Sequence, residues 1–98
     1  MLVAAHNGHL DIVRFLVEHG AAKDQADNNG WTPLLFAALN GHLDIVRVLV
    51  EHGAAKDQAA NNGRTPLLIA AHNGHLDIVR FLVEVGAGAT GTGMGISE

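Results

Sequence analysis

The sequence repeats itself every 33 residues. Ala4-Ala5-His6-Asn7-Gly8-His9-Leu10-Asp11-Ile12-Val13-Arg14 returns as Ala37-Ala38-Leu39-Asn40-Gly41-His42-Leu43-Asp44-Ile45-Val46-Arg47. It returns again as Ala70-Ala71-His72-Asn73-Gly74-His75-Leu76-Asp77-Ile78-Val79-Arg80. Gly20, Gly53 and Gly86 keep the same step, as do the pairs Thr32-Pro33 and Thr65-Pro66. A fixed period of this length means stacked supersecondary units, each too small to bury its own apolar face and dependent on its neighbours to cover it. A chain of 98 residues holds about three such units and makes one small domain.

Each unit reads as helix, turn, helix, extended loop. Thr32 is placed to cap a helix that begins at Pro33, where a missing N–H costs nothing. That helix runs through Leu39 and stops at Asn40-Gly41, a pair suited to a left-handed terminator. A second helix is predicted from about Leu43 to Glu51, with Leu43, Ile45, Val46, Leu49 and Val50 on one buried stripe and Gly53 as its stop. The polar stretch that follows carries Asn62-Gly63, a tight-turn signal for a hairpin tip. The apolar share is 48%, yet the chain has one Trp, three Phe and no Tyr. Ala, Leu, Val and Ile supply the rest, which suits short close-packed helices better than a β-sandwich. Ala37, Ala38, Ala70 and Ala71 are expected to let neighbouring helices approach closely. Such helices are too short to persist alone in water.

Period, turn residues and motif together resemble the ankyrin repeat family. The family pattern Thr-Pro-Leu-His-x-Ala is matched by Thr32-Pro33-Leu34-Leu35-Phe36-Ala37 and Thr65-Pro66-Leu67-Leu68-Ile69-Ala70. The Gly-His-Leu-Asp-Ile-Val segments match the start of the family's second helix, and the likeness extends from residue 1 to about 88. Leu35 and Leu68 stand where the family has His, and Gly53-Ala54-Ala55-Lys56-Asp57 replaces its usual Gly-Ala-Asp-Val-Asn loop. The resemblance implies an all-α solenoid of about three helix-turn-helix units joined by short hairpin loops. It also implies a non-enzymatic scaffold without a cofactor, binding a protein partner on a concave face made of hairpin tips and first helices. The units are so alike that recent duplication and a consensus or engineered origin both account for them.

The expected organisation is a domain over 1–88, with units at about 1–26, 27–59 and 60–88, and a flexible Gly-rich tail over 89–98. Met1 aligns with Leu34, so the first unit lacks the Asn-Gly turn and the Thr-Pro cap. Neither terminal unit carries the polar outer face that ends most solenoids. Ile78, Val79, Leu82 and Val83 repeat the interior pattern, and Val85 replaces the His found at 19 and 52. Two readings follow: the chain self-associates through uncapped ends, or it is a fragment of a longer array.

Other chemistry finds little support. The formal net charge is −4 with His neutral, and the few Lys and Arg are scattered, so a nucleic-acid partner is not expected. The absence of Cys removes disulfides and thiolate metal sites. No apolar run is long enough for a membrane span, and the N-terminus has no basic leader, which makes a cytoplasmic protein the default expectation. The seven His include ligand-like pairs at 6/9 and 72/75, but a Gly interrupts each pair, and no metal site is expected. His9, His42 and His75 read as residues at the start of second helices, and His19 and His52 as partners of helix C-termini. Asp11, Asp44 and Asp77 suit helix starts and could pair with an Arg three residues on. Gly91-Thr92-Gly93-Met94-Gly95 lacks the strand and helix that a phosphate loop needs, and Ser97 is the only Ser, so no catalytic group is expected.

The positions where near-identical units differ point to the binding residues. Trp31 answers to Arg64, Leu39 to His6 and His72, and Asp27 to Ala60, changes of chemical type that suit a surface. The sets Val3/Phe36/Ile69 and Phe15/Val48/Phe81 stay apolar and are expected to adjust core packing. By the family resemblance, Trp31 and Arg64 lie beside the hairpin tips, while His6, Leu39 and His72 lie along the first-helix row. Asn28, Asn29, Asn61 and Asn62 add polar tip contacts. Trp and Arg are the residues most enriched at binding hot spots, and an exposed Trp31 next to Leu39 would make a small apolar patch.

Overall fold

Thr32 caps the helix that follows it: its Oγ1 accepts the Leu35 N–H at 3.2 Å, with Pro33 at the first helical position. Thr65 does the same for Leu68. A computed structural model describes residues 1–87 of the chain, so the end of the domain at 88, the tail at 89–98 and its Gly-rich loop lie outside the described residues. The described residues hold the helices α1 (Leu2–Asn7), α2 (Leu10–Glu18), α3 (Pro33–Asn40), α4 (Leu43–Glu51), α5 (Pro66–His72) and α6 (Leu76–Glu84) and no strand. The helices expected from the middle unit's caps and stops are thus found where the sequence placed them.

The terminators work as their chemistry requires. Gly41 ends α3 with φ 78°, a left-handed conformation, and its N–H reaches the Ala37 carbonyl. The His19 and His52 rings fold back on the second helices. Each Nδ1–H donates to a carbonyl of the last turn, Phe15 O at 2.8 Å and Val48 O at 2.9 Å. Each of these carbonyls already accepts the backbone N–H of the same His, at 3.2 and 3.1 Å, so the ring adds a second bond at the helix C-terminus. Asp44 and Asp77 accept the N–H of Ile45 and Ile78, both at 2.8 Å, in the first turns of α4 and α6.

The helices pack in two rows. α1, α3 and α5 lie side by side in one, and α2, α4 and α6 in the other. Ala4, Ala5, Ala37, Ala38 and Ala70 are buried in the first row, where the absence of bulk lets the helices approach. Val13, Ile45, Val46, Leu49, Ile78 and Leu82 fill the second. Ala71, expected to share in this packing, is exposed, because no unit lies beyond it among the described residues. The two apolar sets expected to tune the core divide in the same way: Ile69 and Val48 are buried, while Val3 is 72% and Phe15 60% exposed. Among the described residues no unit lies on that side of the first one to cover these two side chains.

Units also lock to each other through polar groups. The His42 Nε2–H donates to the His6 carbonyl at 3.2 Å, and the His75 Nε2–H to the Leu39 carbonyl at 3.0 Å. The rings rest where only a glycine leaves room. A Cβ on Gly8 would lie 2.8 Å from the His42 ring, and one on Gly41 2.8 Å from that of His75.

Candidate functional site

The loop ahead of α3 is built around Asp27. Its Oδ1 accepts the N–H groups of Asn29 and Trp31, both at 2.9 Å, and its own N–H donates to the Trp31 carbonyl at 3.0 Å. The third unit has Ala60 at that place, and the task moves to Asn62, whose Oδ1 accepts the Arg64 N–H at 3.0 Å. The Asp27/Ala60 difference therefore serves the turn rather than the surface: Ala60 is buried and Asp27 half-buried.

The two hairpin tips are tied together. Asn61 donates its backbone N–H to the Asn29 carbonyl at 2.9 Å and its side-chain amide to the Asn28 carbonyl at 3.2 Å. Gly30 makes the approach feasible, with φ 81° and a would-be Cβ only 2.5 Å from the Asn61 Oδ1. Asn28, Asn29, Asn61 and Asn62 are all exposed, but Asn61 and the carbonyls it meets are already engaged within the chain.

Held by this loop, Trp31 lies tilted at 34° against Phe36, with ring centroids 5.2 Å apart. Phe36 in turn meets His6 edge-on, at 5.3 Å and 69°. The three rings form a row from the loop of the second unit, across α3, to α1. Such offset and edge-on pairs add about 0.5–1.5 kcal/mol beyond the area they bury. Trp31 and Leu39 are half-buried against the core, not an exposed pair, and the ring that meets Trp31 is that of Phe36. Burying indole area against a neighbouring ring is more favourable than leaving it in water. His6, His72 and Arg64 are exposed; His6 sits on α1, Leu39 on α3 and His72 at the end of α5.

Beside the ring row opens an apolar cavity of about 280 Å³, bounded by Leu2, Val3, His6, Asn7, Asp27 and Phe36. The volume lies just under the roughly 300 Å³ at which small-molecule pockets begin, and it matches one protruding side chain better than a cofactor. Phe36, half-buried in the ring row, does not stand out between units because its counterparts Val3 and Ile69 are aliphatic. The available signal was that both large aromatics of the second unit, Trp31 and Phe36, stand where the third unit has Arg64 and Ile69. Among the described residues, no three His, Asp or Glu side chains converge as metal ligands would, and no helix is long and apolar enough to cross a membrane.

A search of the curated proteins gave no match. The family model for ankyrin repeats in three copies matches residues 1–92, nearly the whole chain. With its paired helices, glycine stops and inter-unit locks, the chain belongs to the ankyrin repeat family.

Proposed function

We propose that residues 1–88, as three units at about 1–26, 27–59 and 60–88, form a non-enzymatic scaffold that binds a protein partner on the face made by hairpin tips and first helices. Ankyrin repeats generally serve as protein–protein interaction modules. The observation that carries the reading for this chain is the Trp31–Phe36–His6 row beside the apolar cavity. It offers a preformed seat for an apolar side chain of the partner. Leu39 extends the first-helix row on one side of it, and His72 continues that row onto the third unit. Arg64, Asn28, Asn29, Asn61 and Asn62 supply a polar rim along the tips. Because the tips are already tied together, little ordering is left to oppose binding.

The test selects binders from a displayed peptide library on the wild-type chain and measures them against variants. Trp31→Ala is expected to weaken them by about 2 kcal/mol or more, the range of a hot-spot residue. Arg64→Ala, at the rim, is expected to change affinity by less. Binders that hold equally well to folded Trp31→Ala remove the ring row from the site.

A further inference from the structure

Six large apolar side chains stand more than half exposed among the described residues, and all six belong to the terminal units. Val3, Ile12 and Phe15 look out from the first unit, and Leu68, Leu76 and Val83 from the third. Their middle-unit counterparts show what these positions are for. Ile45 and Val48, equivalent to Ile12 and Phe15, are buried where a unit precedes them, and so is Ile78. Leu35, equivalent to Leu68, is fully buried where a unit follows it. One end of the stack thus carries the same surface that α3 and α4 turn toward the first unit, and the other end the surface they turn toward the third.

The polar and cationic fittings of the internal interface are also present in halves. Gly8 and Gly41 each cradle a histidine ring of the following unit, whereas a Cβ on Gly74 would meet nothing within 4 Å. An open cavity of about 260 Å³ lies there, bounded by Ala71, Gly74, His75, Leu76 and Val79. At the opposite end His9, the equivalent of His42 and His75, is exposed, and no glycine of a preceding unit cradles it among the described residues. The Arg47 guanidinium lies over the Phe81 ring at 5.0 Å, joining the second unit to the third. Arg80 repeats Arg47 one period on, and Phe15 repeats Phe81 two periods back; both are exposed.

We propose that the occupant of each end face is a second copy of this chain, docked head to tail in the register of the internal repeat. The α1–α2 face of one copy covers the α5–α6 face of the other. Its His9 ring enters the cavity over Gly74, with Nε2–H donating to the His72 carbonyl, as His75 donates to that of Leu39. Its Phe15 lies beneath Arg80. The contact joins two different faces, so each added copy leaves a free face of each kind, and the assembly grows as an open stack instead of closing as a two-fold dimer.

Sedimentation of the full 98-residue chain across a wide concentration range tests this, with helicity checked by circular dichroism. The mass is expected to rise with concentration beyond two copies of the 10.3 kDa chain. Phe15→Glu and Leu76→Glu alter exposed side chains on opposite faces, one variant per face. Each alone is expected to be monomeric, with a dissociation constant raised at least about tenfold, as for a hot-spot change. Mixed together they still own one intact face each, and are expected to form a one-to-one complex and nothing larger. A wild-type chain that stays monomeric at the highest concentration overturns the proposal. So does a dimer lost in one variant and untouched in the other, which would mean like faces meeting.

Discussion

His42 and His75 show how much a single side chain can do that its position in a helix does not announce. Read along the chain, they stand one residue before α4 and α6 and look like helix-start residues. In space each spans two units, its ring on a glycine and its Nε2–H on a carbonyl of the unit before. Gly30 carries a similar double demand. Both Gly30 and Gly63 have φ above 80°, but only Gly30 faces another tip, since the Asn61 backbone N lies 2.8 Å from its would-be Cβ. Gly63→Ala should therefore cost roughly 1–2 kcal/mol for the left-handed backbone alone. Gly30→Ala should lower stability further, by breaking the tie between tips, and urea unfolding of the two variants reads the difference. Thr32 is legible in sequence and in structure alike. Thr32→Ala should reduce unfolding free energy by about 1 kcal/mol, because the Leu35 N–H loses the Thr32 Oγ1 acceptor.

At the scale of the element, none of the described helices exceeds nine residues, too few for independent stability. Their order comes from burial between units, and equivalent residues differ in worth according to what lies beside them. Ile12, Ile45 and Ile78 share one place in the repeat, yet Ile12 is 51% exposed and the other two are fully buried. Ile45→Ala is expected to destabilise the chain by about 2–5 kcal/mol through lost burial and a residual cavity. Ile12→Ala is expected to stay within about 0.5 kcal/mol, as for an ordinary surface change. Equal losses in chemical denaturation, at protein concentrations where the chain is monomeric, would mean that the first unit is covered as fully as the second. The helix boundaries themselves were legible, because Thr-Pro starts and Asn-Gly stops are local chemistry.

For the whole molecule, the repeat made the architecture readable and the differences between units made only part of the candidate site readable. Trp31 stood out by residue type. Phe36 did not, since an aromatic among aliphatic counterparts looks like core adjustment until its ring is seen between Trp31 and His6. Asp27 erred the other way: a charge opposite an alanine suggested surface, and the carboxylate turned out to fasten the loop that holds Trp31. The Asn residues of the tips were expected as contacts for a partner, and Asn61 is first of all a contact between units.

The sequence alone determined the period, the helix starts and stops, and the all-helical stack, because these follow from residue types at fixed spacing and from chain geometry within a few residues. Tertiary structure decided which copies of one apolar position are covered and which face water, since that depends on whether another unit lies alongside. It also decided which polar groups are spent holding loops and units together. Hydrogen bonds and ring contacts between residues some 30 positions apart are set by the packing of two rows of helices, and no local pattern of residues encodes them.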